Sequence, residues 1–263
     1  MPRVNRTVAL ANQKGGVGKT TTAISLGAFL AAKGARVLLV DVDPQANATS
    51  GLGFDKWRLR HSTYDLFAGR CTAVEALEPT NRRDLTILPS SPDLAAVEVE
   101  LGAQADREWL LSRALAPIVG DYDFVLIDCP PSLGLLTVNA LAAATDVIVP
   151  VQCEYLALEG LSLLLDTVER IRQGLNPTLR VFGILMTMFD PRTNLSEQVV
   201  EEVRQHYPST IFQTVIPRNV RLSEAPSYGK SILDYDASSR GASSYDALAD
   251  EALERSARIP VAV

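Results

Sequence analysis

Short apolar runs recur along the chain and stop at polar or glycine-rich turns. Residues 8–11, 36–40 (RVLLV), 85–88, 124–127 (FVLI), 147–151, 181–188 and 211–216 have this form and are predicted as strands. Their nearly continuous apolar character implies a sheet covered on both faces. The segments between them carry helical spacing. In 20–33 the apolar positions include Ile24, Leu26, Ala28, Leu30 and Ala31, and Gly34 ends the pattern. Helices are also predicted over 109–119, 133–144, 156–172, 197–206 and 245–255. Strand, helix and strand at the start make a βαβ unit, which requires a parallel sheet. The least regular stretches are 51–83 and 217–244. The second is too long for an ordinary connector and is a functional suspect.

Composition narrows the class. The 263 residues are 47% apolar and 21% charged, enough for a buried core and unlike a disordered chain. No repeat or linker divides them, so one α/β domain over 1–263 is expected, mostly parallel, with helices on both faces. The 25 basic and 31 acidic residues give −6, which excludes a generally basic nucleic-acid coat. Cys71, Cys129 and Cys153 are isolated, so neither a disulfide scaffold nor a cysteine zinc site is expected, and a reducing cytoplasm fits. No apolar run approaches the roughly 18 residues of a membrane span. The run after Arg3 and Arg6 is too short for a signal peptide.

The chemistry concentrates after the first strand. Lys14, Gly15, Gly16, Val17, Gly18, Lys19, Thr20 and Thr21 join it to the first helix. Glycines let backbone N–H groups approach phosphate oxygens, and the helix N-terminus adds positive charge. Lys19 suits the β- and γ-phosphates and the Thr20 hydroxyl suits Mg²⁺. The general pattern GxxxxGK[ST] is altered, because Gln13 occupies its first glycine position. Asp41 and Asp43 end the second strand on one face, and Asp41 is expected to hold Mg²⁺ through water. Asp128 closes the strand FVLI and is expected in the outer shell of the same ion. Cys129 reads as packing.

Four segments, ANQKGGVGKTTTAISLG, VLLVDVDPQANATSGLG, YDFVLIDCPPSLG and IPRNVRLSEAPSYGK, occur in that order between residues 11 and 230. Together they resemble the ParA/Soj family of deviant Walker A partition ATPases in its short form. The resemblance implies an ATP/ADP and Mg²⁺ enzyme in which Lys14 reaches the partner's nucleotide in an ATP-bound sandwich homodimer. It implies that Asp43 positions the attacking water and that Pro217, Arg218 and Asn219 pass the adenine. It further implies that Arg192 and Arg221, with Lys230 as a further candidate, contact double-stranded DNA without sequence preference. A ParB-like activator would trigger hydrolysis and release, and the protein would be cytoplasmic and nucleoid-associated. Composition alone gives no DNA face: residues 180–240 hold seven basic and seven acidic residues. Only seven residues precede the first strand, so no N-terminal helix-turn-helix domain is expected. The alternative is a MinD-like or other positioning ATPase acting on a membrane or protein cargo. The tail disfavours it, because Arg255 and Arg258 are matched by Glu251 and Glu254 before Pro260, and no membrane partner is expected. Paired cluster cysteines of a nitrogenase-reductase-like carrier are lacking, and the PRNVRLSEAPS segment argues against a dethiobiotin-synthetase-like ligase. Three positions depart from the family pattern: Ala11 for Thr, Ala46 for Gly and Ser231 for Pro.

Overall fold

The computed structural model describes residues 5–102, 104–155 and 157–258. Seven strands form one sheet: β1 (Arg6–Leu10), β2 (Val37–Asp41), β3 (Glu78–Pro79), β4 (Leu85–Leu88), β5 (Phe124–Asp128), β6 (Asp146–Gln152) and β7 (Arg180–Thr187). Their order is β3-β4-β2-β5-β1-β6-β7, and only the short edge pair β3/β4 is antiparallel. The five longer helices among the described residues are α1 (Lys19–Ala32), α2 (Leu135–Ala143), α3 (Ala157–Gly174), α4 (Asn194–His206) and α5 (Arg240–Arg258).

Strand alternation divides the core into two layers. Ala9, Leu38, Val40, Val125, Ile127, Val147 and Val149 face one way and pack with buried residues of α2, α3 and α4. Val8, Leu10, Leu39, Phe124, Leu126 and Ile148 face the other way, towards α1 and α5. Both faces are therefore dry, as the unbroken apolar strands require. The chain moves from β1 to β2 and β4 on one side, then from β5 to β6 and β7 on the other. The order reverses beside β1, and a crevice at the carboxyl ends of the strands follows from that reversal.

Most predicted elements are present, shifted by a few residues at their ends. Residue 156, the expected start of α3, and Arg3 and Pro260 lie outside the described residues. Two predictions need correction. Residues 211–216 are not a strand: they meet β7 and its continuation through isolated bridges, Ile184 with Ile211 and Phe189 with Pro217, and through the Ile216 N–H, which donates to the Met186 carbonyl at 2.9 Å. The N–H groups of Gln213 and Thr214 donate to the Glu251 carboxylate at 2.9 and 3.0 Å instead of to a ladder. The segment 109–119 is not one helix. A turn at Arg107–Trp109 leads into Leu110–Leu115, and Pro117 prevents continuation. The two irregular stretches contain short helices, including Thr63–Phe67, closed by a Ser62/Asp65 capping box, and Val220–Glu224.

Arg6 and Asp146 form an ion pair of 2.8 Å, with side chains 0% and 1% exposed, at the amino ends of β1 and β6. Arg6 also donates to the Ser256 carbonyl of α5 and lies over the Phe182 ring. Removing one partner leaves a buried charge. We expect Arg6→Ala to lower unfolding free energy by about 3–5 kcal/mol, and Arg6→Met with Asp146→Leu to recover most of it, in urea titrations.

Candidate nucleotide site

The loop between β1 and α1 occupies that crevice. Asn12 shapes its entry: its side-chain carbonyl accepts from the Lys14 N–H at 2.9 Å, and its amide donates to the Pro150 carbonyl at 2.7 Å. Gly16 and Gly18 have φ of 74° and 91°, a backbone that strongly favours glycine. Gly18 leads directly into α1 without a side-chain cap, so its first N–H groups stay available. The Thr187 hydroxyl at the end of β7 donates to the Val17 carbonyl at 2.9 Å and fixes the far side of the loop.

Lys19 is buried and donates to the Lys14 carbonyl at 3.2 Å. Burial lowers its pKa, and the nearby Asp128 and Asp43 oppose that shift. Lys14 differs. Its side chain is 55% exposed and pairs with Glu154, in the loop after β6. The two loop lysines therefore occupy different environments, one inside the site and one at its mouth.

The register of β2 and β5 sets Asp41 directly beside Asp128, so both carboxylates lie on the α1 face of the sheet. Asp41 is fully engaged. One oxygen accepts the Asp43 N–H at 3.1 Å, and the other accepts the Thr49 N–H and hydroxyl at 2.9 and 2.7 Å. Ser90 completes this clasp: its N–H donates to the Thr49 hydroxyl and its own hydroxyl donates to the Asp43 carbonyl, both at 2.8 Å. Burial pushes Asp41 up to about 6, against the pull of the Thr49 bonds. Asp43 is 5% exposed, and its carboxylate accepts from the Gln45 N–H at 2.9 Å. Asp128 is fully buried, and neither of its oxygens has a partner in hydrogen-bonding geometry. Burial raises its pKa well above the usual carboxylate range and Asp41 adds to this, while Thr20 and Lys19 act in the opposite sense. A buried, unpartnered carboxylate beside Thr20 and a second carboxylate is a donor set suited to a hard divalent cation. The Cys129 thiol is buried and its pKa is raised, which leaves it unreactive.

Ala46 explains one departure from the family pattern. Its φ of 52° is left-handed, so the usual glycine would sit there without strain and alanine costs roughly 1 kcal/mol. The turn after Asp43 holds this conformation in the chain nonetheless.

Beyond the phosphate loop, a cleft of about 510 Å³, its open mouth included, is lined by Gly18, Thr21, Thr187, Met188, Ile216, Pro217, Arg218, Asn219, Leu222, Ser223 and Tyr245. Pro217, Arg218 and Asn219 thus adjoin the loop, as an adenine end would require. Reading the sequence alone missed Asn12, Thr49, Ser90, Glu154 and Thr187. Asn12 carried a signal, since asparagine two residues before a turn residue commonly bonds its N–H. The others act across the fold.

The bridge of Phe189 with Pro217, and the Arg218 N–H donating to the Phe189 carbonyl at 2.9 Å, bring the loops of Arg192 and Arg221 side by side. Arg192 is 84% exposed and makes two bonds to Asp190, 2.9 and 2.7 Å, which hold the Asp190 pKa down to about 2. Arg221 pairs with Glu224 at 2.9 Å and with Asp236 at 3.5 Å. Lys230 is exposed.

A glycine-rich loop between the central strand and the first helix, with a buried lysine and strand-end aspartates, defines a P-loop ATPase. A sequence profile described as an AAA domain matches residues 5–181. The chain is 53% identical to the chromosome partitioning protein ParA of Myxococcus xanthus, over 96% of this chain and 89% of that one. It is 52% identical to the sporulation initiation inhibitor protein Soj of Bacillus subtilis, over 94% and 98% respectively. A crystal structure from Mycobacterium smegmatis, described as a cobyrinic acid a,c-diamide synthase with bound ATP analogue and magnesium, is 42% identical. It superimposes with a TM-score of 0.84 over 98% of this chain and 99% of that one. The chain belongs to the ParA/Soj family of partition ATPases.

The charge balance of the site is testable without ligand. In the native protein Asp128 holds its proton to higher pH than in the unfolded chain, so its contribution to stability is present in acid and is lost as pH rises. Asp128→Asn is therefore expected to stabilise the magnesium- and nucleotide-free protein at alkaline pH. The gain should shrink on acidification, in urea unfolding followed by circular dichroism.

Proposed function

We propose that the protein is a partition ATPase whose ATP-bound form is a sandwich homodimer that binds double-stranded DNA without sequence preference. A ParB-like activator then stimulates hydrolysis and releases it. The contrast between the two loop lysines carries this reading. Lys19 lies inside the site of its own chain, whereas Lys14 stands at the mouth on a half-exposed carboxylate partner and is placed to leave it for an anion presented from outside. The cofactors are ATP or ADP with Mg²⁺. When bound, Mg²⁺ supplies charge neutralisation on the phosphate oxygens. The residues that would hold it are Thr20 directly and Asp41 and Asp128 through water, Asp128 having the unpartnered oxygens.

In hydrolysis the water oxygen bonds to the γ-phosphorus, the bond to the β-phosphate oxygen breaks, and ADP and phosphate leave. Asp43 orients that water. Its backbone is fixed at the N–H by Asp41 and at the carbonyl by Ser90, and its carboxylate accepts from the Gln45 N–H. Lys19 and the loop N–H groups stabilise negative charge on the phosphates. A second subunit covering the loop would supply Lys14 and exclude water, so hydrolysis would be slow in the monomer. Pro217, Arg218 and Asn219 would border the adenine. Exposed Arg192 and Arg221, doubled by a two-fold axis, with Lys230, would contact phosphates and give salt-sensitive binding.

No described helix is long and apolar enough to cross a membrane. In α5, Arg255 donates to the carbonyls of Phe182, Thr210 and Ile211 and is turned into the fold, which favours DNA over a lipid platform for this chain.

Three substitutions test the cycle. Lys14→Ala should keep nucleotide binding and lose the ATP dimer and turnover, measured by calorimetry, sedimentation and phosphate release. Dimerisation at the wild-type level would refute the role of Lys14. Asp43→Ala should trap the ATP dimer with turnover reduced by about 10²-fold or more. Arg221→Glu should keep the ATP dimer and abolish DNA binding; unchanged affinity would remove that residue from the DNA face.

A further inference from the structure

The loop 54–61 lies outside every role assigned above. It follows the clasped turn and the short helix Asn47–Gly51, and it presents Lys56, Arg58 and Arg60 against one acidic residue, Asp55, in a chain of net charge −6. Trp57 is 74% exposed at its centre, and Arg58 is 87% exposed with only a 3.5 Å pair to Asp55. An indole left in water among cations does little for folding, whereas aromatic and basic side chains together suit a sugar–phosphate backbone.

Two contacts connect this loop to the rest of the molecule. Gly53, where it begins, meets Gly229: a Cβ on Gly229 would lie 2.7 Å from the Gly53 Cα, so the approach requires glycine at 229. Lys230 and the exposed Tyr228 flank that contact, so the loop emerges next to the candidate DNA cations. At its other side the Lys56 ammonium donates to the Gln45 carbonyl at 2.7 Å, two residues past Asp43.

We infer that loop 54–61 is a second DNA-contacting segment, in which Arg58 and Arg60 hold phosphates and Trp57 packs on the deoxyribose. It rests on the DNA-binding reading above and extends that surface across the Gly53–Gly229 contact. The Lys56 bond ties the loop to the turn that carries Asp43. A change in that turn between nucleotide states would therefore move the loop as well, linking DNA binding to the state of the site.

The test compares wild type, Arg58→Glu/Arg60→Glu and Arg221→Glu for binding to a labelled random-sequence duplex with Mg²⁺ and ATP across a salt series. The ATP dimer and basal turnover are measured on the same samples. Both loop arginines lie at the surface, so the double variant should fold. The expected result is a fall of about tenfold or more in affinity at low salt, with dimer and turnover unchanged. The salt dependence should become shallower by about one unit of log K per log salt for each phosphate that is no longer neutralised. Trp57 emission, followed in a Trp109→Phe background, should be quenched by DNA with ATP and not with ADP. If the double variant binds like wild type while Arg221→Glu does not bind, the loop inference is overturned and the DNA reading stands. If wild type binds no DNA with ATP, both fall. If the double variant fails to form the ATP dimer, the loop belongs to the interface between subunits and the inference is overturned.

Discussion

Two carboxylates, Asp41 and Asp128, lie buried side by side with one buried ammonium, Lys19, near them. That arrangement is unfavourable by itself, because burial and mutual repulsion both raise the energy of the charged forms. Much else in the site answers to it. Thr49 and the Asp43 N–H satisfy Asp41, while Ser90 donates to the Thr49 hydroxyl and to the Asp43 carbonyl and so holds Asp43 in place. Asp128 is left without a well-formed hydrogen bond, with the Thr20 hydroxyl nearby. A cation entering with phosphates would relieve the imbalance, so ligand binding and the relief of buried charge are one event. The empty fold is kept intact by the two apolar layers on either side of the sheet, which tolerate a polar fault at one edge.

The cations outside the crevice are handled in the opposite way. Lys14 pairs with Glu154, Arg192 with Asp190, and Arg221 with Glu224 and Asp236. These pairs lie at the surface and are individually weak, so each arginine or lysine can exchange its carboxylate for a phosphate at small cost. At these three positions the positive charge is balanced by neighbouring carboxylates, unlike in loop 54–61. In a chain of net charge −6, such pairing is why composition alone singles out no basic face.

The parallel core was legible because its strands are continuous apolar runs and its helices keep a 3.6-residue period. The phosphate loop was legible because glycine, lysine and threonine have few alternative uses at that spacing between strand and helix. Residues 211–216 were misread because their apolar pattern fits a strand, while the bonds that decide the matter come from Glu251, 37 and 38 positions from the two N–H groups it accepts. The clasp of Asp41 by Thr49 and Ser90 was invisible for the same reason: Ser90 and Thr49 are 41 positions apart. Ala46 is a different case. Its departure from glycine was visible in the sequence, but only the left-handed backbone shows what the departure costs.

The pair of Arg6 and Asp146 has a practical side. Arg6 opens β1 and reaches the carbonyl of Ser256 near the end of α5, so positions 250 apart in the chain meet at the amino edge of the sheet. The phosphate loop opens at the carboxyl edge, the length of a strand away. A fluorescent reporter joined near either of those positions would start from the side of the molecule opposite the crevice. The protein could then be followed by microscopy without a bulky label beginning at its nucleotide site.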